Sequence, residues 1–134
     1  MPGASVVPQL ERLTPVLVVE EVEPCVRFWT ERFGFASEDP VKGPDGKWVF
    51  AIAKKDAIEV MYQTRASVVA DMPALAKEMN GRSAVLYIRV KSIDAVEGAL
   101  AGAPVVKARH KTFYGSTEIY VREPGGHVVG FGQF

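Results

Sequence analysis

The chain has 134 residues, of which 48% are hydrophobic and 24% charged, an ordinary globular balance at a length that suits one domain better than two. Sixteen basic residues offset sixteen acidic ones, so neither nucleic acid nor an anionic membrane surface is expected as a partner. The lone cysteine, Cys25, excludes an intrachain disulfide and a cysteine-built zinc site and points to a reducing compartment. No basic-then-apolar leader pattern opens the chain, and no run of about 18 apolar residues occurs, so a cytoplasmic protein without a membrane span is expected.

In chain order, Leu13 to Val19 is a β-branched run that predicts a strand. Glu23 to Phe33 switches to helical spacing, with Pro24 early and Gly34 just past the end. Phe35 to Val41, Trp48 to Ala53 and Ala57 to Gln63 then read as three strands, the first two separated by the Pro44-Asp45-Gly46 turn signal. Residues 65 to 82 carry Val68, Met72, Leu75, Ala76 and Met79 at helical spacing and predict a connector helix closed by Asn80-Gly81. Ser83 to Val90 is again a strand, and Ser92 is placed to cap a helix running to Leu100, with Asp94 suited to its dipole. Val105 to Arg109, Ser116 to Val121 and His127 to Gln133 complete the chain. The order is βαβββ over residues 13–64 and βαβββ again over 83–134, an α+β pattern of two tandem modules in a single domain.

Two similar halves invite a test for self-similarity. A gapless shift of 71 pairs Leu17 with Ile88, Val19 with Val90, Trp29 with Leu100, Trp48 with Ile119, Ile58 with Val129 and Val60 with Phe131, all of them apolar. Strand alternation then sorts the side chains onto two faces. Ile58, Val60, Tyr62, Leu86, Ile88, Val129 and Phe131 turn toward the helices. The opposite face collects Glu59, Met61, Gln63, Val85, Tyr87, Arg89, Glu118, Tyr120, Gly130 and Gly132, where the glycines are expected to leave open space. A concave face with an apolar floor, a few polar groups and aromatic walls has the composition of a small-ligand pocket. Phe28, Trp29, Trp48 and Phe50 are expected in the core, as is an inert Cys25.

These modules, carrying VLVVEEVEPCVRFWTERFGF, AIEVMYQ, VLYIRVKSIDA and TFYGSTEIYVREPGGHVVGF, resemble the vicinal oxygen chelate superfamily of glyoxalases, bleomycin-resistance proteins and extradiol dioxygenases over residues 13 to 134. The resemblance implies curved mixed sheets around a concave pocket. It also implies that a divalent metal, where one is used, is held at Thr14, Glu59, Val85 and Gly130. Only Glu59 among these is a strong donor, and a catalytic metal ordinarily takes three. No metal and no cofactor are therefore expected.

The residues expected to contact a ligand are Thr14, Glu59, Met61, Tyr87, Arg89, His110, Tyr114, Glu118 and Tyr120. Glu59 is read either as a ligand contact or as the partner of Arg89 in a structural ion pair. Glu59 and Glu118, if they share one cavity, would raise the pKa of one of them enough for acid-base work. His127 is expected to be structural. The cluster Lys107, Arg109, His110, Lys111 reads as a solvated rim that favours an anionic group, and Pro124-Gly125-Gly126 as a turn and not a phosphate loop, since a strand follows it. The closest branch in pattern is the metal-free bleomycin-resistance group, which implies a homodimer that sequesters a small organic molecule, as in antibiotic resistance. A metal-dependent glyoxalase-like lyase, isomerase or dioxygenase and an interaction module with a filled pocket stand as alternatives.

Overall fold

The computed structural model describes residues 7–9, 12–77 and 84–134. The first module contains β1 (Val16–Val19), α1 (Val22–Phe33), β2 (Ala36–Ser37), β3 (Val41–Lys42), β4 (Trp48–Lys55) and β5 (Ile58–Thr64). After α2 (Arg65–Asp71) and a 3-10 turn (Pro73–Leu75), the second contains β6 (Val85–Arg89), α3 (Ile93–Ala99), β7 (Val105–Lys111), β8 (Thr117–Arg122) and β9 (Val128–Gln133). One sheet runs β1-β5-β4-β2 with β3 also on β4, and the other runs β6-β9-β8-β7. In both, the module's first strand lies parallel to its last, and the remaining neighbours are antiparallel.

Local chemistry explains the helices. In α1, Pro24 falls in the first turn, where an N–H has no intrahelical partner to lose. Glu23 and Arg32 sit at the helix ends whose dipole suits them, and Gly34 (φ 69°) takes the left-handed cap. The Phe35 N–H returns to the Trp29 carbonyl at 3.2 Å. In α3, Ser92 Oγ accepts from the Ala95 N–H at 3.1 Å, the expected cap. The connector differs from expectation. Its helix stops at Asp71 because Pro73 disfavours the helical region for Met72, which adopts φ −136°, ψ 77°; the Asn80-Gly81 stop lies outside the described residues. The strand expected over 35–41 is broken into β2 and β3 around Pro40.

The register overturns the gapless repeat. Leu17 lies beside Tyr62, and its counterpart Ile88 lies beside Phe131, so the shift is 71 in the first strand but 69 in the last (Tyr62 to Phe131). Ala51 pairs with Tyr62 where Ile119 pairs with Phe131, which makes the shift 68 in the third strand of each module. The extra residues of module one fall between its first strand and β4, where β2 and β3 form an interrupted edge. Apolar residues so dense in the sequence matched under the wrong offset as well as the right one.

The core joins both modules: Leu17, Val19, Val22, Cys25, Val26, Phe28, Trp29, Phe35, Val60 and Tyr62 from the first, with Ile93, Val96, Ile119, Val121, Val129 and Phe131 from the second. Phe28 and Trp29 are core as expected, and Trp48 packs on its margin. Phe50 is half-buried and pairs with Gln63, placing it on the opposite face of β4.

A buried polar chain crosses this interior. Trp29 Nε1 donates to Tyr62 Oη (2.9 Å), Tyr62 Oη donates to Glu123 Oε2 (2.7 Å), and the His127 N–H donates to Glu123 Oε1 (2.6 Å). The His127 ring spans the two sheets. Nδ1 accepts from the Ala84 N–H at 2.8 Å, so Nε2 carries the proton and donates to the Val18 carbonyl at 3.0 Å. Gly125 is required here, because a Cβ would collide with Val19, Cys25 and Glu123. Removing one donor from a buried carboxylate costs about 1.5–3 kcal/mol. Urea unfolding of Tyr62→Phe is therefore expected to show a loss of that size with an unchanged m-value; a loss below about 0.5 kcal/mol would mean that this chain contributes nothing to stability.

Candidate functional site

The concave face of the second sheet is built on β8 and β9. Alternation along β8 turns Glu118 and Tyr120 onto this face, and β9 presents Gly132 and Gly130 directly opposite them. From the other side, β6 places Tyr87 beside Gly130 and Arg89 beside Gly132. The glycines do not leave open space, as the sequence suggested. A Cβ at Gly130 would strike the Tyr120 ring and one at Gly132 the Tyr87 hydroxyl, so both positions are seats on which tyrosine rings lie.

The rings lie there because their hydroxyls converge on Glu118, which is only 1% exposed. Glu118 Oε2 accepts from Tyr87 Oη (2.6 Å), Ser116 Oγ (2.8 Å) and Tyr114 Oη (2.9 Å). Oε1 accepts from Tyr114 Oη (2.9 Å) and Tyr120 Oη (3.1 Å). Burial pushes the Glu118 carboxyl up, but the four hydroxyl donors outweigh it and hold the group below the usual carboxylate range. The phenols respond in the opposite sense. Desolvation and the adjacent carboxylate push Tyr87 up to about 12 and raise Tyr120, while its hydrogen bond to Glu118 raises Tyr114.

His110 pairs across β7–β8 with Glu118. Its Nδ1 lies 2.8 Å from the Ala108 carbonyl, its Nε2 3.9 Å from Glu118 Oε1, and its ring stacks on Tyr120 at 6.3 Å. With Lys107, Phe113 and Tyr114, these groups line a cavity of about 540 Å³. Arg109 is not part of this rim, since it pairs with Asp94 (2.6 Å) and Glu97 (3.1 Å) on α3.

On the first sheet, Glu59 is held by Thr14 Oγ1 at 2.8 Å and by the Arg12 guanidinium at 3.4 Å. Its partner is thus Arg12 and not Arg89, whose guanidinium lies over the Phe134 ring at 4.4 Å. The Thr14 hydrogen bond, assisted by Arg12, holds the Glu59 carboxyl below its ordinary range. Glu59, Tyr87 and Arg89 line a cleft of about 310 Å³ between the sheets, separate from the cavity containing Glu118. The two carboxylates do not share a cavity and neither is raised, so the condition for acid-base work by the pair is not met. Met61 is half-buried on the Glu59 side of β5 and lines neither cavity. Tyr87 connects the two groups, its ring bordering the inter-sheet cleft and its hydroxyl bound to Glu118.

Sequence reasoning missed Ser116 and Arg12. Ser116 stands two residues before Glu118, a spacing that alternation would have caught; nothing local signals Arg12.

No protein-family model matches the chain. An uncharacterized protein of Mycobacterium bovis is 28% identical over 124 residues, covering 90% of this chain and 82% of that one. Among solved structures, a glyoxalase/bleomycin resistance protein/dioxygenase from Nocardioides superposes with a TM-score of 0.73 at 20% identity, over 96% of this chain and 87% of that one. A lactoylglutathione lyase from Agrobacterium tumefaciens gives 0.69 at 18% identity, over 94% and 95%. The chain has the vicinal oxygen chelate fold.

The resemblance implies that a divalent metal, where one is used, is held on the first and last strands of the modules. The observed register corrects one of the four positions. Thr14 bonds to Glu59, and the equivalent pair in the second module is Val85 beside Val128, not Gly130. One carboxylate, already bound to a hydroxyl and a guanidinium, and two valines do not fit a divalent metal. Among the described residues, no other group of three or more His, Cys, Asp or Glu side chains is placed to hold one, and no helix is long and apolar enough to cross a membrane.

The shifts fix the pH dependence. Glu118 contributes stability that is complete above the ordinary carboxylate pKa and is lost as pH falls through its lower folded value; the tyrosines contribute stability that is complete below about 10 and is lost as pH rises through their raised values. Burial raises the remaining tyrosine, Tyr62, as well, so all four in the chain are shifted upward. Absorbance titration of the folded chain is expected to show no tyrosine ionising near 10. Glu118→Gln should return Tyr87, Tyr114 and Tyr120 toward 10 and leave Tyr62 high. A phenol titrating normally in the native chain would contradict this hydrogen-bonding pattern.

Proposed function

We propose that the chain is a small-molecule binding protein that sequesters an organic ligand on the concave face of its second sheet, without a divalent metal. The observation that carries this reading is the Glu118 cluster. An ionised carboxylate with four hydroxyl donors locks three tyrosine rings before any ligand arrives, and a preformed aromatic wall costs little ordering on binding. The cavity of about 540 Å³ falls in the range of small-ligand pockets. Aromatic compounds, glycopeptide antibiotics among them, are the ligand class in this reading.

Binding without turnover is favoured by the state of the reactive groups. The phenols are held protonated, and the lone pairs of Glu118 are engaged. Cys25 is buried with its thiol pushed far up by desolvation, so it supplies no thiolate. In the same reading residues 1–134 act as one domain in the cytoplasm, with its two modules over 13–64 and 83–134, and two copies form a homodimer that covers the exposed Leu13, Val16, Val85 and Tyr87. Light scattering is expected to give twice the mass of one chain.

The seating of Tyr87 and Tyr120 on the glycines also suits a second reading, an interaction module whose pocket is filled by its own side chains. Thermal-shift screening separates the readings, because a ligand that binds the native state raises Tm in proportion to RT ln(1 + [L]/Kd). Aromatic or glycopeptide compounds are expected to raise Tm, with no effect of chelator, and Tyr120→Phe to weaken the response several-fold. A rise with divalent metal alone would replace sequestration with metal-dependent catalysis, and no response to either class would favour the filled module.

A further inference from the structure

The seam between the modules forms a further cavity, of about 420 Å³, that the concave face does not account for. Its floor is aromatic. Phe33 of α1 stacks on Phe131 of β9 at 5.3 Å, and Trp29 lies 5.9 Å from Phe33 and 5.0 Å from Phe35. The one polar atom of that floor, Trp29 Nε1, is already bonded to Tyr62. Ile58, Ile88, Val90 and Val96 form the walls. Ile58, Ile88 and Arg89 also border the inter-sheet cleft, so the two adjoin, but the cavity containing Glu118 shares no lining residue with this one.

The mouth has a charge that the walls lack. Lys55 and Lys91 stand around it with Asp56 as the one carboxylate among the described lining residues, while Arg89 borders it with its guanidinium held over Phe134. Lys55 is fixed there by its 2.8 Å hydrogen bond to the Phe33 carbonyl at the end of α1. The floor beneath is closed core, so an apolar body would lie against the half-buried Phe33, Ile58, Ile88 and Val90, where burial of its surface supplies the affinity, while a negative group stays at the wet, cationic mouth. No group in the cavity is placed as a nucleophile or base toward a bound molecule.

We propose that this seam is a binding site for a small amphipathic monoanion, an aromatic or short aliphatic carboxylate. The site is independent of the ligand proposed for the concave face, and either can fail without the other. Amide NMR of the intact chain titrated with 2-naphthoate, and separately with the neutral 2-naphthylmethanol, tests it. Saturable shifts at Phe33, Asp56, Val90 and Lys91 are expected, with the carboxylate binding about fivefold tighter at low ionic strength and that advantage shrinking with added salt. Lys91→Glu, at an exposed position that leaves the fold intact, should weaken naphthoate about fivefold and leave the alcohol unchanged. Shifts confined to Tyr87, Tyr120 and Gly130, no saturable shift at all, or equal binding of acid and alcohol would each overturn the proposal.

Discussion

A carboxylate buried within a protein is costly unless its lone pairs are occupied, and Glu118 meets this condition with hydroxyls in place of a cation. That choice shapes the second module. Hydroxyls carried on Tyr87, Tyr114 and Tyr120 bring their rings with them, and a ring can reach the carboxylate only by lying across the strand between. Gly130 and Gly132 follow from this requirement, since any side chain there would lift the rings off the sheet. One charge thus accounts for the glycines and the aromatic wall, and together with burial it raises the phenol pKa values.

A second buried carboxylate, Glu123, is solved differently. It takes Tyr62 and the His127 backbone as donors and lies at the turn before β9, where both modules meet. The His127 ring, bonded to Val18 on one sheet and Ala84 beside the other, pins the first strands of the two modules to the same point. The interior chain fixes how the modules sit, and the concave face is free to carry function. Tyr62 is drawn into the structural chain, and Cys25 is buried beside it with its thiol bonded to the Glu21 carbonyl, so both are removed from chemistry.

Much of this was legible in the sequence. Helix caps at Ser92 and Gly34, strand alternation and turn signals were enough for two βαβββ modules, and alternation alone put Glu118, Tyr120, Tyr87 and Arg89 on one face. What escaped depended on distance in space. Glu118 and Glu59 share a face type but belong to different sheets, and no periodicity reveals that four hydroxyls from positions 87 to 120 meet at one carboxylate. The glycines were read as empty space because a missing side chain says nothing about which neighbour fills its place. The repeat was read two residues out of register at the last strand because apolar positions on alternating strands match under any shift of equal parity, and only sheet pairing breaks that degeneracy. Pro73 was a local signal against a long connector helix, and the apolar spacing around it masked the fact.

The ionisation state of Glu118 is the quantity on which the aromatic wall rests, and carbon NMR of the glutamate side-chain carboxyls reads it directly. The Glu118 carboxyl carbon is predicted to keep the shift of an ionised group from neutral pH down through the ordinary glutamate range and to titrate only below it. A Glu118 carbon already at the protonated position at neutral pH would mean that the carboxyl is itself a donor, and the tyrosines would then be held by something other than its charge.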